Sequence, residues 1–303
     1  RVAVEVCGVC RTDLHVVEGD LPLRRSPTIP GHEVVGRIVA HGPGGGSLAV
    51  GTRVGVAWLH AACGACAYCR RGDENLCTAP RFTGWTEPGG YAEYVCAPEA
   101  FVYALPDGLA ARAAAPLLCA GIIGYRALRR SGIRPGEPLG LYGFGASAHI
   151  ALQVARHWGC PVYVATRGER HRALARELGA AWVGGSHERP PVPLRATILF
   201  APAGDLVPVA LAALDRGGTL AVAGIHVSAI PPLDYQAHLF QERALLSVTA
   251  NTRADGRELL ALAARIPLQT RTEEFALADA NEALRRLADD EVAGAAVLRV
   301  ATC

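Results

Sequence analysis

Residues 139–154 constrain this chain more than any other stretch. Leu139-Gly140-Leu141-Tyr142 is a short apolar run that reads as a strand. Gly143-Phe144-Gly145-Ala146-Ser147-Ala148 follows at once, and Ile150-Ala151-Leu152-Gln153-Val154-Ala155 continues as a helix. The pattern G-x-G-x-x-A between a strand and a helix is the context a dinucleotide-binding turn requires. Gly143 permits the tight turn. Gly145 lets a pyrophosphate approach the backbone N–H groups at the helix start. Ala148 takes the place of the third glycine and still packs closely on the strand.

The alternation continues. Val162-Tyr163-Val164-Ala165 reads as a second strand, residues 174–178 as a helix and Thr197-Ile198-Leu199-Phe200 as a buried strand. A helix over 206–214 is expected to close at Gly217-Gly218. Strands follow at 220–224 and 245–248, with a helix over 257–265. Strands alternating with helices predict an α/β domain with a Rossmann doubly wound parallel sheet. An NAD enzyme usually carries an acid at the end of the second strand. Here Thr166-Arg167 stands there, and Glu169 is the nearest acid. A guanidinium fork suits a 2′-phosphate, so NADP is favoured over NAD, with Arg170 or Arg172 as helpers. The competing reading is that Arg167 is a solvated loop residue.

Length and composition exclude several classes. With 303 residues, half of them hydrophobic, the chain is not intrinsically disordered, and two domains are expected. Net charge is +2, which gives no electrostatic case for nucleic acid. All 30 basic residues are Arg, so Schiff-base and P-loop lysine chemistry is excluded. With no Met anywhere, the sequence is expected to lack its N-terminus. Its opening residues alternate like a strand and do not resemble a signal peptide. No apolar run approaches the ~20 residues that span a bilayer, so a soluble, cytoplasmic protein is expected.

Four of the ten cysteines, Cys63, Cys66, Cys69 and Cys77, share one short stretch spaced C-x2-C-x2-C-x7-C. Close thiolate pairs can reach one small cation, and four soft sulfurs select tetrahedral zinc. Such a closed site is structural. Two disulfides are the alternative; Cys residues two apart rarely suit a strain-free bridge. A second set, Cys10, His32-Glu33 and Cys119, would leave one coordination position open, as catalytic zinc requires. Spacing alone makes this second set weak, because a lone Cys such as Cys119 is more often a core residue.

The local wording lifts it. Gly8-Val9-Cys10-Arg11-Thr12-Asp13-Leu14-His15, Pro30-Gly31-His32-Glu33, residues 63–77, Gly89-Gly90-Tyr91-Ala92-Glu93-Tyr94 and Leu117-Leu118-Cys119-Ala120-Gly121 together resemble the zinc-dependent medium-chain alcohol dehydrogenases. The resemblance covers essentially all of the chain; the several tens of residues that open the family have no counterpart before Arg1. It implies a mainly β, GroES-like catalytic domain over 1–122 and 266–303, discontinuous and short at its N-terminal strands. The Rossmann domain is then 123–265. It implies two zincs per chain: a catalytic one on Cys10, His32 and Cys119, and a structural one on Cys63, Cys66, Cys69 and Cys77.

Further roles follow from the resemblance. Glu33 would lie beside the catalytic metal, Asp13 would fix the His32 tautomer, and Thr12 and His15 would carry the substrate proton to solvent. Arg11, Gly143, Gly145, Ala148, Thr166, Arg167, Gly224 and Ile225 would contact the cofactor. His226 and residues 250–252 would lie near the nicotinamide. A bland reading of Thr12, Asp13 and His15, a capped helix start, holds alongside. Trp58, Phe82 and Trp85 are candidate pocket walls, though such residues are more often core.

The implied activity is reversible, NAD(P)-linked oxidation of an alcohol to an aldehyde or ketone, with hydride leaving a zinc alkoxide. Small-molecule alcohols and aldehydes are the expected partners, with no nucleic acid and no membrane, in a homodimer or homotetramer. The rivals are an NADPH-dependent aldehyde reductase, a non-catalytic nucleotide-binding member of the same fold, and a nucleic-acid zinc ribbon.

Overall fold

The computed structural model describes residues 1–292 and 294–300. The chain forms two compact units, one from residues 1–122 with 250 onward, the other from Ile123–Thr249.

The first unit is built on a seven-stranded sheet in the order Thr272–Ala276, Ala295–Arg299, Val2–Val9, Glu33–Ile38, Arg53–Val56 and Val102–Ala104, with Tyr94–Val95 also on Val2–Val9. All pairings are antiparallel except that of Thr272–Ala276 with Ala295–Arg299. Val2, Val4 and Cys7 alternate inward and pack with Val34, Ile38, Val54 and Val56, the half-buried pattern expected of antiparallel strands. The C-terminal strand returns to this sheet, pairing Gly8 with Val297. The helix Ala280–Ala288 buries Ala283 and Leu284 against Val9 and Leu14.

The second unit is a six-stranded sheet with every pairing parallel. Its order is Trp182–Gly184, Val162–Ala165, Leu139–Tyr142, Leu194–Leu199, Leu214–Val222 and Ala244–Ser247. Numbered along the chain, that is 3-2-1-4-5-6, the doubly wound order with a reversal beside the first strand. Leu139, Leu141, Val164, Ile198 and Leu220 are fully enclosed, as strands covered on both faces must be.

Two details depart from the sequence reading. The helix expected to close at Gly217-Gly218 ends at Ala212, and Leu214 opens a strand that runs through both glycines. Gly217, with φ 67°, lets that strand bulge: its register jumps from Leu194↔Leu214 to Ala196↔Thr219. The helix expected over 257–265 spans Arg253–Ala263, because Thr252 caps it and Asp255 completes a capping box. Residues 250–265 group with the first unit. The reason is packing: Gly256 abuts the Tyr103 ring, and Leu259 presses on Gly121. Among the described residues, no helix is long and apolar enough to cross a membrane.

Candidate functional site

Cys10 ends the strand Val2–Val9 and begins the helix Arg11–Glu18. Its Sγ accepts from the Thr12 backbone N–H at 3.3 Å, and its own N–H donates to Asp13 Oδ2 at 3.0 Å, a capping box with sulfur in the cap. The other Asp13 oxygen accepts from the Gly31 N–H and lies 2.9 Å from His32 Nδ1. Asp13 and His32 are both buried. With Nδ1 committed to a carboxylate, Nε2 is free to act as a ligand. It lies 3.2 Å from Cys10 Sγ. Cys119, between a 3-10 turn and the helix Ala120–Ser131, completes the group. Ligand atoms of Cys10, His32, Glu33 and Cys119 all lie within 4.8 Å of one another.

The electrostatics fit a cation. The Cys119 thiol beside Cys10 draws the Cys10 pKa well down against the opposing effect of burial, and Cys119 is correspondingly pushed up. Burial disfavours charge on His32, but Asp13 and Cys10 together hold its pKa above the imidazole range. Burial pushes the Glu33 carboxyl well above the usual range. Two sulfurs, an imidazole and a carboxyl in one dry space form a zinc-type donor set.

Glu33 has its place because of a glycine that sequence reasoning passed over. Gly8 faces Glu33 across the sheet, and a Cβ at Gly8 would sit 1.8 Å from Glu33 Oε2. Gly8→Ala is therefore expected to destabilise by about 2 kcal/mol, as overpacking in a close-packed interior does. Thermal melts check this, and an unchanged Tm would show that the carboxyl relocates freely.

Thr12 is buried on the first turn, and His15 is half-buried one turn on, its Nδ1 2.8 Å from Asp20 Oδ2. Asp20 was not among the expected residues. The usable signal was Gly19, whose φ of 85° ends the helix and turns the chain back. Arg11 is exposed, 3.9 Å from Asp290. Trp58 stacks on Phe82 and Trp85 at centroid distances of 4.9 and 6.0 Å, and meets the His32 ring edge-on at 5.0 Å.

In the four-cysteine lobe, Cys63 Sγ accepts from the Cys66 N–H, Cys66 Sγ from the Cys69 N–H, and Cys77 Sγ from the N–H groups of Cys63 and Ala79. The Cys69 N–H pulls the Cys66 pKa down to about 6, while desolvation pushes Cys69 up to about 12. Cys63 and Cys69 Sγ are 3.9 Å apart. Two thiolates on one tetrahedral zinc, each ~2.3 Å from it, fall at about that separation.

In the second unit Gly143 has φ 86°, and a Cβ there would meet Ala201 N at 2.8 Å. Gly145 caps the helix Ala146–His157 without a side-chain bond, and a Cβ at Gly145 would meet nothing within 4 Å. Open space before uncapped N–H groups suits a pyrophosphate. Ala148 is fully buried, Thr166 is buried, and Arg167 is exposed at the end of the second strand. Gly224 follows the fifth strand, and Ile225 and His226 beyond it are exposed.

Comparison with known proteins agrees with this geometry. The family described as alcohol dehydrogenase GroES-like domain matches residues 1–107, and that described as zinc-binding dehydrogenase matches 148–265. The chain is 57% identical to a probable alcohol dehydrogenase, AdhA, of Mycobacterium tuberculosis, over 99% of this chain and 88% of that one. It is similar to the structure of a cinnamyl alcohol dehydrogenase from Sorghum bicolor, with TM-score 0.90, 29% identity and coverage of 98% and 89%. An acetophenone reductase from Geotrichum candidum, solved in complex with NAD, gives TM-score 0.88 at 27% identity, with coverage of 98% and 88%. On these matches and this donor set, the chain belongs to the zinc-dependent medium-chain alcohol dehydrogenase family.

Proposed function

We propose that the chain oxidises alcohols reversibly to aldehydes or ketones. Cys10, His32 and Cys119 would hold a catalytic zinc, residues 63–77 a structural one, and the parallel-sheet unit a nicotinamide dinucleotide. The observation that carries the reading is the convergence of Cys10, His32, Glu33 and Cys119, distant in sequence, within 4.8 Å of one another. When bound, zinc supplies Lewis acidity and the dinucleotide accepts a hydride.

The chain's own residues do the rest. Asp13 fixes the His32 ring, so Nε2 stands beside Cys10 Sγ, where both could ligate one ion. The Thr12 hydroxyl would take up the substrate proton, and His15 would pass it to the exposed Asp20 carboxylate and to water. Glu33, whose carboxyl pKa burial pushes up, stands beside the two sulfurs as a further oxygen donor. The Trp58, Phe82 and Trp85 rings would form an apolar wall next to His32.

NADP is favoured over NAD because Arg167 makes no side-chain ion pair among the described residues, whereas Glu169 is engaged by Arg172 and Arg176. A free guanidinium suits a 2′-phosphate. The NAD complex of the acetophenone reductase makes NAD the runner-up.

The test is metal analysis with steady-state turnover on primary, secondary and aromatic alcohols, using both dinucleotides. Two zincs per chain and turnover dependent on the dinucleotide are expected; absence of hydride transfer with either one would sink the reading.

A further inference from the structure

The four-cysteine lobe buries little of its own. Between residues 62 and 73 no residue is buried, and the first to be so is Glu74. Glu74 opens the one-turn helix Glu74–Leu76, directly before Cys77. Its carboxylate reaches across the first unit to Arg253. Oε1 accepts from the Arg253 backbone N–H at 2.6 Å and from Nε at 3.0 Å, and Oε2 accepts from Nε at 2.9 Å and from the terminal nitrogen at 2.6 Å. The Arg253 guanidinium also lies 4.5 Å over the Phe101 ring. The carboxylate therefore grips both the side chain and the backbone of one residue.

What it grips is the point where the chain re-enters the first unit. Residues 250–255 follow directly on the last parallel strand, Ala244–Ser247. The re-entry is held in an unusual form. Ala250 has φ 47°, Asn251 Nδ2 donates to Tyr103 Oη at 3.4 Å, and Thr252 is locked to Asp255 by bonds of 2.8 and 2.7 Å. An alanine in the left-handed region persists only when its surroundings over-determine it.

We propose that Glu74 is a positioning residue that ties the metal state of the four-cysteine lobe to the conformation of residues 250–255. A lobe with so little buried apolar surface takes its shape from its metal. Loss of that metal frees Glu74, strands a partly buried guanidinium and an N–H on Arg253, and releases the re-entry segment. The proposal rests on the structural zinc proposed above, not on the catalytic one or on the dinucleotide.

Hydrogen exchange by mass spectrometry tests this. On zinc-loaded protein, Glu74→Ala is expected to keep its full metal content and to speed exchange over residues 250–256 about tenfold. Glu74→Gln, which keeps an acceptor for the Arg253 N–H, should fall between. Cys66→Ala, or partial chelation of folded wild type if that variant fails to fold, should raise exchange over the same residues. Adding Glu74→Ala should then raise it no further. Residues 139–142 serve as the unmoved control. Wild-type protection of 250–256 in Glu74→Ala, or after loss of the lobe metal, would overturn the proposal. A wild-type chain whose lobe binds no zinc would overturn the proposal while leaving the activity proposed above to its own test, and a chain without turnover would overturn that activity while leaving the exchange data to decide the tie.

Discussion

Cys10→Ala is expected to purify with one zinc fewer per chain than the wild type and to turn over at less than about one-thousandth of its rate. The expectation comes from the donor count. Cys10 Sγ is 3.2 Å from His32 Nε2, and its loss leaves one sulfur, one imidazole and the Glu33 carboxyl, a set expected to hold zinc far more weakly. A confounding effect is built into the position. Cys10 also caps the helix Arg11–Glu18, and losing a cap costs about 1 kcal/mol. Cys10→Ser removes that ambiguity, since a hydroxyl caps the helix but binds zinc poorly. His32→Ala should give the same loss of metal with a larger loss of stability. It leaves Asp13, a buried carboxylate, without its imidazole partner, which typically costs about 3–5 kcal/mol. Turnover that survives in Cys10→Ser with the metal gone would end the zinc reading.

Arg167→Asp is expected to move the ratio of kcat/KM for NADP over NAD by about a hundredfold towards NAD. Two effects act in the same direction. The guanidinium that would pair with a 2′-phosphate disappears, and a carboxylate that repels the phosphate takes its place. The new carboxylate would accept bonds from the ribose hydroxyls instead, as an acid at this point of the sheet does. Arg167 is exposed and sits outside the core, so the substitution should leave the melting temperature within a few degrees. An unchanged cofactor ratio would place the phosphate elsewhere, with Arg170 and Arg172 next to be tested.

What could be read from the sequence was whatever local order writes down. The strand, glycine turn and helix at 139–157 are contiguous, and each part constrains the next. Cys10, His32 and Cys119 are scattered, yet each sits in a short phrase that marks it. The residues that escaped notice act over long separations or through space left empty. Glu74 and Arg253 are 179 positions apart, and neither carries a signal near itself. Gly8 matters for the room it leaves Glu33, a property of the neighbouring strand. Gly217 and Gly218 were misjudged because a helix stop and a strand bulge call for the same residue, and only the pairing with Leu194–Leu199 separates them. The helix at Arg253 began earlier than its hydrophobic period implied, since Thr252 and Asp255 mark its start by hydrogen bonds rather than by apolar spacing.

One atom at the start of the helix Arg11–Glu18 closes the capping box and, on the function proposed above, would also ligate the metal. Aspartate or serine would terminate the helix as well as cysteine does. The polypeptide is thus indifferent to whether sulfur or oxygen stands at that point, and folding places no brake on the exchange. What the exchange would alter is hardness, since a carboxylate there shifts preference away from zinc towards magnesium, manganese or ferrous iron. The identity of the proposed metal would thus be separable from architecture and set by the softness of the donors, Cys10 foremost and Cys119 beside it.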